Sequence, residues 1–109
     1  MANTEEKKLS TTTIYESVIG CKWSRQILFS IAQGVDRPGA MTRAIEGLTT
    51  KVQTDCLRRM TGFGIIERLS FSEVPPRVEY KLTGIGKKLL EILKQVEELQ
   101  YEIEVQKKP

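Results

Sequence analysis

The chain has 109 residues, 39% hydrophobic and 28% charged, with a formal net charge of +3. This suits one small soluble domain with a modest core that association would help to stabilise. It has no histidine and only two cysteines, Cys21 and Cys56, which removes the commonest general base and the commonest metal ligand and leaves too few thiols for a zinc site or a disulfide scaffold. With no phosphate-loop, dinucleotide or nucleophile-elbow motif either, an enzyme, a cofactor and a metal site are not expected. No apolar run approaches the ~20 residues of a membrane span and the amino terminus lacks a signal-peptide core, so a cytoplasmic protein is expected.

Charge is unevenly spread. Residues 22–88 carry 12 Lys/Arg against 6 Asp/Glu, a net +6, while in residues 89–104 Lys94 alone opposes Glu91, Glu97, Glu98, Glu102 and Glu104, a net −4. A basic body beside an acidic terminal helix points to a polyanion-binding surface kept apart from an assembly surface.

Residues 1–10 are polar and are expected to form a flexible segment. Ile14, Tyr15, Val18 and Ile19 have helical spacing and predict a short helix over residues 11–20. A second helix is expected over 22–33, with Trp23, Ile27, Leu28 and Ile31 on one stripe and Gly34 as its stop. Trp23, the lone tryptophan, reads as a core anchor between helices. A third helix over 39–46 buries Met41, Ala44 and Ile45. Gly47 breaks it, Leu48 points back to the core, and a fourth helix follows over 50–61. Two short helices joined at a glycine are the helix-turn-helix pattern.

The fourth helix starts on either Thr49 or Thr50 as its cap, the latter forming a capping box with Gln53. Val52, Cys56, Leu57 and Met60 make its inward stripe. Thr50, Lys51, Gln53, Thr54 and Arg58 are left for the outer side, with Asp55. Hydroxyls and an amide suit base edges in a major groove, and cations suit phosphates. For an isolated helix a merely solvated face would be the better reading; the ribbon that follows reverses that preference.

Gly62 and Gly64 open a hairpin. Ile65, Ile66, Leu69 and Phe71 form one strand and Val78, Tyr80 and Leu82 alternate in the other. Between them Ser72, Glu73, Val74, Pro75, Pro76 and Arg77 make a loop stiffened by two prolines. Arg68, Arg77 and Lys81 make the ribbon basic, and Arg77, nearest the tip, is expected to contact phosphate or the minor groove unless Glu73 pairs with it. Thr83 then caps a long helix over 84–104. Ile85, Leu89, Ile92, Val96, Leu99 and Ile103 recur every four, three, four, three and four residues, a seam for packing along another helix, while Leu90 and Leu93 widen it toward the domain. Residues 105–109 read as a flexible tail. The fold class is α+β, mainly α: a winged helix-turn-helix domain over residues 11–104 with a long C-terminal dimerisation helix.

From residue 10 to about residue 99 the chain resembles the HxlR family of bacterial winged-helix transcriptional regulators, relatives of the MarR group. The resemblance rests on IGCKW at 19–23, LRRMTGFGIIER at 57–68 and, above all, SEVPPRVEYKLTGIGKKL at 72–89. It implies a homodimer joined by its first and last helices, through Ile14, Val18, Leu89, Ile92, Val96, Leu99 and Ile103, set on a palindromic double-stranded DNA operator. Thr50, Lys51, Gln53 and Thr54 would then meet bases, and Arg58, Arg77, Arg43 and Lys22 phosphates.

Many family members carry a Cys-Pro pair before the first helix, and in some that cysteine senses oxidants; here Ser10 and Thr11 stand there. Cys21 instead replaces the second glycine of the family's IGGKW. It reads either as a small packed residue or as a relocated redox thiol with a pKa lowered by Lys22. The fourth helix reads TTKVQTD where members often begin Ser-Pro, which implies a different operator. Two rival readings stay open: a protein-interaction adaptor on the same fold, and a redox-gated regulator using Cys21. An unknown small-molecule effector is a further possible partner.

Overall fold

A computed structural model describes residues 14–107; the expected flexible segment at 1–10, Ser10, Thr11 and the start of the first expected helix lie outside them, as does the end of the 105–109 tail. The order is a five-residue π-type turn labelled α1 (Tyr15–Ile19), then α2 (Lys22–Ala32), α3 (Pro38–Ala44), α4 (Thr50–Gly62), β1 (Ile66–Phe71), β2 (Arg77–Leu82) and α5 (Gly84–Lys107). The strands form one antiparallel ribbon, with Ile66 opposite Leu82, Arg68 opposite Tyr80 and Phe71 opposite Arg77. Within the described residues the expected elements are present, the first of them as the π-type turn, and residues 105–107, expected in a flexible tail, instead continue α5.

The core follows the helical stripes read from the sequence, except that Ala44 is exposed and Ile45 and Val52 are only half-buried. Ile27, Leu28 and Ile31 of α2, Met41 of α3, Leu57 and Met60 of α4 and Leu89, Leu90 and Leu93 of α5 close on Val18, Leu48, Ile65, Ile66 and Tyr80. Burying such side chains contributes roughly 1.5–3 kcal/mol each against chain entropy. Trp23 is half-buried and joins this cluster from its edge. Its ring covers the turn before α4: a Cβ built on Gly47, whose φ is +84°, would stand 3.2 Å from the indole. Glycine satisfies both the backbone and the space there.

Proline at the first turn starts α3, where its missing N–H costs nothing. Thr49, not Thr50, is the cap of α4, its Oγ accepting from the Val52 N–H at 3.2 Å. Thr83 caps α5, accepting from the Gly86 N–H at 3.1 Å and donating to the backbone carbonyls of Gly64 and Ile65. This hydroxyl pins the start of α5 to the entry of the ribbon. Gly86 lets the two backbones meet, since a Cβ there would lie 2.1 Å from the Ile65 carbonyl oxygen. The ribbon is tied to the helices on its other edge too, where the Tyr80 N–H donates to the Asp36 carbonyl at 2.9 Å.

Two of the seven residues expected at the dimer seam are core residues of their own chain. Val18 is fully buried and Leu89 nearly so, because the first turns of α5 and the α1 turn are needed to close the domain. Of the rest of the α5 line, Ile85, Ile92, Val96, Leu99 and Ile103 are exposed.

Candidate nucleic-acid interface

The inner stripe of α4 is fixed by the core, and this decides which side chains face out. Thr50, Lys51, Thr54 and Arg58 are exposed, as is Arg59. Lys51 pairs with Asp55 one turn on at 3.6 Å, and Thr54 Oγ donates to the Thr50 carbonyl at 2.8 Å. Both are weak surface contacts that an incoming ligand can replace.

Contrary to expectation, Gln53 does not face outward with them. Only 2% of it is exposed, and its Nε2 donates to the Pro38 carbonyl at 2.7 Å. Its position falls on the side of α4 that faces α3, so the amide joins the two helices of the motif and does not project toward a base edge.

Arg77 also stands differently from expectation. It opens β2 and lies flat on the Phe71 ring, with its guanidinium carbon 4.1 Å from the ring centroid. Its Nη2 lies 3.4 Å from Glu73, and its Nε lies 3.3 Å from Glu79 Oε2 but off the hydrogen-bond axis. Glu79, mostly buried, also meets Arg37 at 3.4 Å and Lys81 at 3.7 Å. Lys81 pairs in addition with Asp36, whose hydrogen bond raises the ammonium pKa above its ordinary value. The outer edge of the ribbon is therefore internally neutralised. Among the described residues Arg43 and Arg58 make no ion pair, and Arg68 holds only the Ser70 hydroxyl at 2.8 Å.

Two grooves flank α4 and the ribbon. One of about 500 Å³ runs between them and is lined by Thr54, Leu57, Arg58, Thr61, Arg68 and Tyr80. A second, of about 730 Å³, lies between α3 and the ribbon tip and gathers Arg37, Arg43 and Arg77 with Pro75 and Pro76. Lys22 stands apart: it lines a third recess with Gln26 and Glu46, and its ammonium lies 4.9 Å over the Trp23 ring. Arg37 and the placing of Arg68 beside Arg58 were not legible in the sequence, because they depend on how the ribbon lies across the helices.

Cys21 caps α2 and is half-buried; Cys56 is fully buried in α4. Burial pushes both thiols up. At Cys21 the Ser24 hydroxyl and the backbone N–H groups of Ser24 and Trp23 outweigh burial and hold the thiol below its ordinary value. Lys22 is not among those causes, so the lowering comes from the start of α2.

A helix-turn-helix followed by a two-stranded ribbon defines a winged helix-turn-helix protein, and known proteins make the assignment narrower. The model of the HxlR-like helix-turn-helix family matches residues 18–107. The chain belongs to that family, and it is a DNA-binding transcriptional regulator. It is 32% identical to the HTH-type transcriptional regulator YkvN of Bacillus subtilis over 76% of this chain and 70% of that one. Across curated relatives the matched stretch spans between 53% and 74% of their own length. Its fold is similar to that of a MarR-family transcriptional regulator of Enterococcus faecalis V583, with a TM-score of 0.79 and 36% identity over 93% of this chain and 91% of that one. It is also similar to the redox regulator HypR in its oxidised form, with a TM-score of 0.72 and 30% identity over 87% and 95% of the two chains. Among the described residues no helix is long and apolar enough to cross a membrane.

Proposed function

We propose that the protein acts as a homodimer on a palindromic operator, placing one α4 in the major groove of each half-site. The supporting observation is the far half of α5. This helix has 24 residues, about 36 Å, but its buried residues stop at Leu93. Beyond and beside that point Ile92, Val96, Leu99 and Ile103 are 40–57% exposed, an apolar line that one domain leaves uncovered. A second copy offers the same line and covers it symmetrically. Ile14, half-buried beside α1, lies at the edge of the domain where the resemblance places the other part of that contact.

In this reading Thr50, Lys51 and Thr54 meet base edges, and Arg58, Arg68 and Arg43 meet phosphates. The reading places the protein in the cytoplasm with the DNA. Selecting bound duplexes from a random pool and footprinting them tests it. Two half-sites about one turn, ~34 Å, apart are expected. A single unrepeated site bound by one chain would overturn it. The rival reading as an adaptor predicts no salt-dependent binding to duplex at all. The exposed, unpaired Arg43 and Arg58 favour DNA.

A further inference from the structure

Alternate residues of a strand share one face of the ribbon. Val78, Tyr80 and Leu82 pack toward the helices, which leaves Arg77, Glu79 and Lys81 as a row of cation, carboxylate and cation on the other face. The loop ahead of α3 lies along this strand, because the Tyr80 N–H donates to the Asp36 carbonyl. It adds Asp36 and Arg37 to the row. Asp36 meets Lys81, and Arg37 Nη2 donates to Glu79 Oε2 at 3.4 Å. Glu79 also has Arg77 Nε at 3.3 Å and Lys81 Nζ at 3.7 Å. One carboxylate thus serves three cations.

Exposure divides by sign. The Glu79 side chain is 16% exposed and that of Arg37 54%, so an incoming polyanion meets the cation first. Two of the three cations have a second carboxylate, Asp36 for Lys81 and Glu73 for Arg77. Among the described residues Arg37 has Glu79 alone. Arg37 lines the groove between α3 and the ribbon tip together with Arg43, which the interface above assigns to phosphate.

We propose that Glu79 is a positioning residue for DNA binding: it holds Arg37 off the phosphate backbone and so limits affinity for DNA of any sequence. The inference rests on the docking of α4 and the ribbon on duplex proposed above. Phosphate contacts carry no sequence information. A cation withheld from them therefore weakens binding to the many competing sites of a genome without removing a base contact.

Solvent decides between carboxylate and phosphate. An exposed ion pair is weak and readily exchanged. Glu79 is mostly shielded from water, so its attraction for Arg37 is screened less than that of a surface pair. A phosphate that drew Arg37 away would also leave a part-buried carboxylate with less neutralising charge.

The test is a salt titration of binding to random-sequence duplex by the full chain. Glu79→Gln keeps the shape of the side chain and removes its charge. The slope of log affinity against log salt should steepen by about 0.9, one added phosphate contact. The advantage over the wild type should then grow about 3.5-fold between roughly 200 and 50 mM salt. A ribbon merely loosened by the change would weaken binding instead. Glu67→Gln removes the same charge from an exposed residue of β1 that makes no ion pair among the described residues, and should leave the slope unchanged. In an Arg37→Ala background, Glu79→Gln should no longer steepen the slope. Arg37→Ala alone should leave the wild-type slope unchanged, and it decides the matter if Glu79→Gln does not fold. An unchanged slope in folded Glu79→Gln, equal steepening in Glu67→Gln, or a loss of about 0.9 in Arg37→Ala would overturn the inference. Arg58→Ala reports separately on the interface: if it flattens the slope, the docking of α4 stands and Glu79 alone has been misassigned. If the wild type shows no salt-dependent binding, both fall.

Discussion

The Gln53 side-chain amide donates to the Pro38 carbonyl oxygen at 2.7 Å, in a contact that is almost wholly buried. Pro38 opens α3 and Gln53 lies in the second turn of α4, so one hydrogen bond sets the first helix of the motif against the second. Replacing Gln53 with Leu leaves that carbonyl without its partner and should cost about 1–3 kcal/mol. Urea unfolding should report the loss, while the preferred DNA sequence of the folded fraction stays the same. An altered sequence preference at undiminished stability would mean that the amide swings out to read a base.

The arginines on either side of α4 should behave unequally. Arg58 makes no ion pair among the described residues and Arg68 holds only a serine, whereas Arg77 is engaged by Glu73, Glu79 and the Phe71 ring. Salt titrations of duplex binding should lose about 0.9 of a unit of slope for Arg58→Ala, as expected for one phosphate contact. Arg77→Ala should change the slope by much less and should instead loosen the ribbon, read as faster amide exchange at Phe71 and Val78. Equal slope changes would show that Arg77 leaves its carboxylates for the phosphate backbone.

These contrasts mark where sequence reading stops. Hydrophobic spacing located the helices, the ribbon and most of the core, since period and punctuation are local properties. Gln53 lies three, four and seven residues before Cys56, Leu57 and Met60, so the helical period already puts it on the buried side of α4; its polar side chain, not its spacing, is what suggested the outer face. The pairing of Arg37 and Lys81 with Glu79 and Asp36 joins residues more than forty positions apart. Nothing in either segment alone announces it. Val18 and Leu89 follow the same logic: they fit a seam by spacing, but the domain needs them first.

Gly86 should tolerate no side chain. Its Cβ position lies 2.1 Å from the Ile65 carbonyl oxygen, so Gly86→Ala must push α5 off the ribbon entry and disturb the Thr83 cap. The cost should be at least about 1–3 kcal/mol, the usual range for overpacking. Thermal unfolding measures it. Gly84→Ala, two residues earlier with nothing within 4 Å of its Cβ, is the matched control and should be close to neutral. Similar losses for both would remove the close approach as the cause.

The exposed half of α5 offers the sharpest separation of folding from assembly. Leu99 lies six residues past the last buried residue of the helix, Leu93, and is 57% exposed. Leu99→Glu should therefore leave the domain folded while placing a charge on the apolar line. In a dimer that line meets its own copy, so two charges are desolvated together and association should weaken by several kcal/mol. Sedimentation equilibrium should show a shift toward single chains with an unchanged far-ultraviolet spectrum. Operator binding should fall with it, because two half-sites no longer share one protein. Leu93→Glu makes the useful contrast: that side chain is buried within its own domain, and its loss should appear first as unfolding. A Leu99→Glu protein with the wild-type association state would place the partner of α5 elsewhere.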